Sequence, residues 1–378
     1  MEKKSIYAKR IEKVQMSSIR IVMEKVEKLR NQGKSIVSLC AGEPDFNTPA
    51  GIKKATMDAL NDNQTHYSSN RGYAGLRQKV AQLLQEQTTI NYDSEQEIIM
   101  TCGCSEAINN TCLAFIDPGD EVIIFTPAFV SYQNTVLLCE GIPVEIPLKS
   151  RNGFQIDIEE VKNKITDKTK MIIINNPNNP TGITMPQELP EKILASCSEL
   201  GIFMVVDECF LDFVKDPDRH TLKGKLAEHP NLFLLKAFTK RYAIPGVRLG
   251  YGFCSDRKVL ERMEAVTQPW NVSTMAQQAG LAALKETEYV EKGRKIIFQE
   301  SAWLKEEMTK LGLKVYPSEA NYIFFRGPED LFEKCVPKGI LIRDCSNYPG
   351  LQKGYYRVAV KLHEQNEKLV RVLTELVG

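Results

Sequence analysis

"KMIIINNPNNPTG", residues 170 to 182, sets an unbroken apolar run, Met171 to Ile174, directly before asparagines held between two prolines. A continuous apolar run, unlike an alternating one, reads as a strand covered on both faces. The prolines end it, and the stiffened amides stand at its carboxyl end. The same rhythm recurs in "EIIMTCG", "EVIIFTP", "FMVVDEC" and "NLFLLKAF", with helical segments such as "SEAINNTCLAFI" and "PEKILASCSELG" between most of them. Apolar strands alternating with helices predict an α/β fold, a mostly parallel sheet between helices.

Outside this region the pattern changes. Residues 17 to 31 read as a helix stopped by "NQGK", and "SIVSLCAGEPDFNTP" as a short strand entering a Gly/Pro loop. Residues 273 to 312 read as one long, charged helix. "LKVYP", "NYIFFRG", "GILIRDC" and "YYRVAVK" follow as strands of a smaller α+β unit. The expected division is 1–44, a helix and strand joining the small domain; 45–275, a large domain; and 276–378, the small domain.

Composition narrows the function classes. Hydrophobic content of 43% and charged content of 26% are ordinary for a globular enzyme. A net charge of +1 argues against general nucleic-acid binding. No apolar run approaches the ~20 residues of a membrane span, so no membrane partner is expected. "MEKKSIYAKRIEKVQ" lacks the apolar core and cleavage site of a secretory signal. The 10 cysteines are scattered without a CxxC pair and read as reduced, cytoplasmic thiols. Four dispersed histidines give no basis for a His-built metal site.

In an open α/β sheet, ligands bind beyond the carboxyl ends of the strands, and the unusual residues of this chain gather there. "EIIMTCG" leads into Cys104 and Ser105 at a helix start near Glu106, a place for a phosphate. "EVIIFTP" leads into Phe129 and Tyr132, and "FMVVDEC" ends at Asp207. "NLFLLKAF" ends at Thr239 and Lys240, with Arg248 beyond. Singly, each has an ordinary explanation: a solvated lysine, an Asp N-cap, a core phenylalanine, turn asparagines. Jointly they match the needs of one ligand. Ser105, the helix start and Arg248 suit a phosphate, and Phe129 a flat ring. Asp207 suits a protonated ring nitrogen, Asn179 a phenolate oxygen, and Lys240 an aldehyde. That ligand is pyridoxal phosphate held as a Schiff base. Neither GxGxxG after the first strand nor GxxxxGK[ST] is present, which weakens nucleotide readings.

"NPNNPTG", "VVDECF" and "TKRYAIPGVRLGY", in this order, resemble fold-type I pyridoxal-phosphate enzymes, the class I/II aminotransferases. "AGEPDFNTP", "HYSSNRGYAGLR" and "YYRVAV" extend the resemblance over essentially the whole chain. It implies a seven-stranded, mostly parallel sheet in a large domain beside a smaller α+β domain. It also implies roles. Lys240 would be the Schiff-base lysine and Asp207 the partner of the pyridine nitrogen. Asn179 would bond the ring hydroxyl, and Phe129 would stack on the ring. Cys104, Ser105 and Arg248 would contact the phosphate. Tyr67 would reach the phosphate in a neighbouring subunit, making a homodimer with shared sites. Arg357 would hold the substrate α-carboxylate, and Gly42 would approach the substrate.

Two positions depart from the family pattern. Phe210 stands where many members carry a tyrosine donating to the ring hydroxyl. Ala237 stands where many carry a serine, so Thr239 would supply the phosphate hydroxyl. The subfamily signals also divide. "AGEPDFNTP" and "HYSSNRGYAGLR" resemble aspartate and aromatic amino-acid aminotransferases. "DECFLDF", "QPWNVSTMAQQAGLAAL" and "LIRDCSNYPGL" resemble histidinol-phosphate aminotransferases and threonine-phosphate decarboxylases. Arg343 in the last of these either matches an arginine that binds substrate phosphate or makes an ion pair with Asp344 or another neighbour. The expected activity is transfer of an amino group between an α-amino acid and a 2-keto acid. The alternative is a threonine-phosphate decarboxylase-like lyase or a transaminase of a phosphorylated amine. A non-catalytic regulator on this fold is disfavoured, because no helix-turn-helix extension is visible.

Overall fold

The computed structural model describes residues 6–14, 18–33 and 35–377; of the helix expected over 17–31, Ser18–Asn31 is present and residue 17 lies outside the described residues. The strands, in chain order, are β1 (Val37–Ser38), β2 (Ile98–Thr101), β3 (Glu121–Thr126), β4 (Ile142–Pro147), β5 (Thr169–Asn175), β6 (Phe203–Asp207) and β7 (Leu232–Ala237). They continue as β8 (Gly250–Phe253), β9 (Lys314–Val315), β10 (Tyr322–Arg326), β11 (Ile340–Leu341), β12 (Arg343–Asp344) and β13 (Tyr355–Ala359). Seven form one sheet in the order β2-β8-β7-β6-β5-β3-β4, in which β8 alone runs against the others. The apolar runs of β2, β3, β5, β6 and β7 send alternate residues to opposite faces. Met100, Phe125, Ile172, Met204 and Leu234 enter one apolar core, while Ile99, Ile124, Ile173, Val205 and Leu235 enter the other. β4 holds two prolines and lies at an edge, where missing ladder donors cost least.

β12-β13-β10-β9 form a second, antiparallel sheet, whose apolar residues Ile323, Phe325 and Val358 cluster with Ile297, Leu304 and Met308 of the helix Thr287–Lys310 and with Leu369 and Leu373 of the helix His363–Val377. β1 pairs in parallel with β11, and Val26 and Cys40 pack with Leu341, tying the first helix and strand to this part of the molecule. The single long helix expected over 273–312 is instead two, Thr274–Ala283 and Thr287–Lys310. The two pieces serve different cores. Ala276, Ala279 and Ala283 join the core on one face of the large sheet, whereas Ile297, Leu304 and Met308 belong to the second sheet. One straight helix cannot present both faces in these directions, so the chain turns through Lys285 and Glu286, whose N–H groups bond back to Ala282 and Ala283.

Candidate active site

Because β2, β3, β5, β6 and β7 are parallel, their carboxyl ends share one edge of the sheet. β8 is antiparallel, so the residues just before it, Arg248 included, arrive at that same edge. There the structure holds a cavity of about 280 Å³. Ten of the twelve residues singled out in the sequence line it: Gly42, Cys104, Ser105, Phe129, Asn179, Asp207, Thr239, Lys240, Arg248 and Arg357. Tyr67 and Arg343 do not. Tyr67 is 79% exposed and stacks on Trp270, with ring centroids 3.9 Å apart. Arg343 is buried opposite Arg357 across the β12–β13 ladder, and its Nη2 donates to Asn347 Oδ1 at 2.9 Å.

Asp207 ends β6 and is buried. Its Oδ1 accepts from the Cys209 backbone N–H at 2.9 Å, and its Oδ2 from the Tyr132 hydroxyl at 2.7 Å. Each carboxylate oxygen keeps a further lone pair for another donor. Burial first, and the adjacent Asp207 carboxylate second, push the Tyr132 hydroxyl well above the usual tyrosine value, so it stays a donor. Asn175 braces the next strand end. Its Nδ2 donates to the Asp207 carbonyl at 3.0 Å, and its Oδ1 accepts the Asn179 N–H at 2.8 Å. The Asn179 side-chain carbonyl accepts from Arg357 Nη1. The Nδ2 donor of Asn179 is therefore what this amide has left to offer the cavity.

Lys240 lies on a one-turn helix, Phe238–Arg241, directly after β7. Burial depresses its ammonium form, and the Arg357 and Arg248 charges add to this against the opposing pull of Cys209 and Glu43. Its Nζ stands 5.8 Å from the Phe210 ring centroid. The neighbouring Arg241 donates to Asp212 Oδ1 at 2.6 Å, and Lys236 lies between Glu208 and Asp212 at 3.5 and 3.8 Å. This buried ion cluster clamps the ends of β6 and β7, one ending in Asp207 and the other leading to Lys240. Sequence reasoning missed the cluster, Tyr132's bond and Asn175. The one available signal was Lys236, a charge inside an apolar strand.

Arg357 joins the two sheets. It sits on β13, donates to Asn179 after β5, and donates through Nη2 to the Cys40 carbonyl at 2.6 Å, while its Nε has no partner among the described residues. Its guanidinium carbon lies 5.0 Å from the Tyr322 ring centroid. Gly42 must lack a side chain: a Cβ there would come within 2.9 Å of Tyr322 Cδ1, and the Gly42 carbonyl accepts from Asn321 Nδ2 at 3.1 Å. At the other end of the cavity the helix Cys104–Phe115 begins at Cys104, two residues earlier than expected, so Cys104 and Ser105 N–H groups lie in its first, unpaired turn. Gly103 has φ +74°, and a Cβ on it would fall 2.7 Å from Arg248 Nη2. The guanidinium thus closes against the helix start, a cradle of N–H donors and one fixed cation.

Residues 34–373 match the family model for aminotransferase class I and II. The chain is 34% identical to a probable aspartate/prephenate aminotransferase of Aquifex aeolicus over 84% of its own length and 82% of that protein's. It is 32% identical to the aspartate/prephenate aminotransferase of Thermus thermophilus, over 97% of this chain and 98% of that one. The solved aspartate aminotransferase from Thermus thermophilus with maleate superposes with a TM-score of 0.90 at 29% identity, covering 99% of this chain and 100% of that one. The chain belongs to the class I and II aminotransferases. It is a pyridoxal-phosphate-dependent enzyme of fold type I that moves an amino group between an α-amino acid and a 2-keto acid.

The cavity fits this cofactor on its own terms. It offers an anion cradle that a Cβ on Gly103 would fill, a buried carboxylate with spare lone pairs, an amide donor, and an amine whose pKa burial lowers.

Proposed function

We propose that Lys240 is the lysine that carries pyridoxal phosphate, and that the enzyme transfers the amino group of an unphosphorylated, aspartate-like amino acid to a 2-keto acid. The observation carrying this reading is the convergence of Lys240, Asp207, Asn179, Arg248 and Arg357 on one cavity. The substrate class draws on the relatives named for aspartate and prephenate. Bound pyridoxal phosphate supplies an electron sink for the bond broken at the substrate Cα. Asp207 holds a proton on the ring nitrogen through a charge-assisted hydrogen bond, with Tyr132 and the Cys209 N–H fixing its orientation. Asn179 Nδ2 donates to the ring hydroxyl, since Phe210 has no hydroxyl to give. Phe129 covers the ring. The Cys104 and Ser105 N–H groups, the Ser105 and Thr239 hydroxyls and Arg248 hold the phosphate. Arg357 binds the α-carboxylate, and Gly42 leaves room for the substrate beside it. Lys240 Nζ would be the base for the proton on the substrate Cα, and burial lowers the pKa of that amine in the direction this role needs.

The same reading makes the enzyme a cytoplasmic homodimer. The exposed Tyr67–Trp270 stack is the surface that a second copy would cover, with Tyr67 reaching that copy's phosphate. The free cysteines favour a reducing compartment; among the described residues no helix is long and apolar enough to cross a membrane. The division at residue 44 is supported by the packing of Val26 and Cys40 with Leu341; the packing of the helix Thr274–Ala283 on the large sheet supports a second boundary after residue 283 rather than at 275. Arg343 is not among the residues lining the cavity and donates to Asn347, so it lends no weight to a phosphorylated substrate. The test is a half-reaction without keto acid. Aspartate should convert the cofactor to its amine form, read by its absorbance, and 2-oxoglutarate should restore it. Carbon dioxide released catalytically from threonine phosphate, with no amino acid changing the spectrum, would overturn the reading.

A further inference from the structure

We propose that Cys104, Cys209 and Asp207 form a site for a thiophilic divalent cation, zinc above all, that competes with the cofactor for the same cavity. The three side chains come from two strand ends, Cys104 after β2 and Asp207 and Cys209 at the end of β6. One sulfur, one sulfur and one carboxylate oxygen all lie within 4.8 Å of one another. Neither thiol is in a disulfide. All three residues line the cavity, so a cation there has an open fourth position.

The geometry and the chemistry agree. Tetrahedral zinc with bonds of ~2.3 Å to sulfur and ~2.0 Å to oxygen sets its donors roughly 3.5–3.8 Å apart. Side-chain adjustments of about 1 Å or less close the present spacing to that range. Two thiolates select a soft or borderline cation and disfavour magnesium or calcium. Two thiolates and a carboxylate around a divalent cation leave one net negative charge, which Arg248 and Lys240, both lining the cavity, can balance. The competition rests on the reading that Asp207 also serves the cofactor's ring nitrogen: one carboxylate cannot do both.

The test uses the full chain, kept reduced with a phosphine and freed of cofactor by an amino donor and dialysis, with cobalt(II) alone as the probe. We expect one cobalt per chain, with sulfur-to-metal charge-transfer absorption, displaced by zinc. Cys104→Ser and Cys209→Ser should each weaken binding at least about tenfold. Cys139→Ser, half-buried and outside the cavity, should not change it. Should a serine variant fail to fold, zinc protection of Cys104 and Cys209 from alkylation, read by peptide mapping, decides the matter in the unaltered chain. Cobalt bound without sulfur absorption, equal binding by all three variants, or loss of two titratable thiols without metal would overturn the site. Reloading with pyridoxal phosphate should suppress uptake, and undiminished uptake would overturn the competition. Borohydride trapping of the cofactor on Lys240 reports separately on the cofactor reading.

Discussion

Replacing Tyr132 by phenylalanine removes one oxygen atom and little else. The ring is 1% exposed and meets Phe129 edge-on, with centroids 5.7 Å apart, so its packing survives the change. What is lost is the 2.7 Å hydrogen bond to Asp207 Oδ2. That length is typical of a hydroxyl donating to an ionised carboxylate. Hydrogen bonds to charged groups contribute about 1.5–3 kcal/mol, and a stranded buried acceptor puts the cost toward the upper part of that range. The Cys209 N–H still serves Oδ1, which keeps the carboxylate in place. The assay is a double-mutant cycle of Tyr132→Phe and Asp207→Ala on the cofactor-free chain. Urea unfolding is followed by circular dichroism and fluorescence, and used only where the two probes coincide. The expected coupling is about 1.5–3 kcal/mol. Additivity within ~0.5 kcal/mol would mean that the tyrosine does not support the carboxylate.

Borohydride reduction of the loaded enzyme should attach the cofactor to Lys240, and peptide mapping that finds it on Lys236 would refute the assignment. Gly103→Ala should weaken pyridoxal-phosphate affinity about tenfold or more, because its Cβ would meet Arg248 Nη2 at 2.7 Å and φ +74° is strained for any side chain; unchanged affinity by titration would remove the cradle from the site. Burial lowers the Lys240 pKa, so the folded chain releases that proton at lower pH than the unfolded chain does. Between those two values the unfolded chain binds more protons, and this lysine's contribution to stability rises with pH. The rate at which the cofactor-free enzyme captures pyridoxal phosphate should likewise rise with pH and level off below the ordinary lysine range; a plateau only within that range would contradict the burial argument. Light scattering should give twice the chain mass, and a fully active monomer would exclude the shared site proposed for Tyr67.

The apolar runs determined the large sheet by themselves, because a strand buried on both faces needs side chains such as Ile172 and Ile173 whatever surrounds it. The residues that end those runs, Asp207, Asn179 and Lys240, were legible for a related reason: a polar group right after a buried strand must stand at the sheet's edge. The antiparallel course of β8 was not legible. "LGYGFC" carries no mark of direction, and pairing with β7 and β2 decides it, bringing Arg248 to the same edge as Lys240. The break in the long helix also belongs to the tertiary structure, since its apolar positions fit a helix throughout and only the two separate cores require a turn. Tyr132 beside Asp207, Cys104 beside Cys209, and the Glu208–Lys236–Asp212–Arg241 cluster join residues up to 105 positions apart in the chain. Local sequence records the preference of each segment for helix or strand. Which side chains then meet depends on strand order and register, and those are settled when the sheets pack.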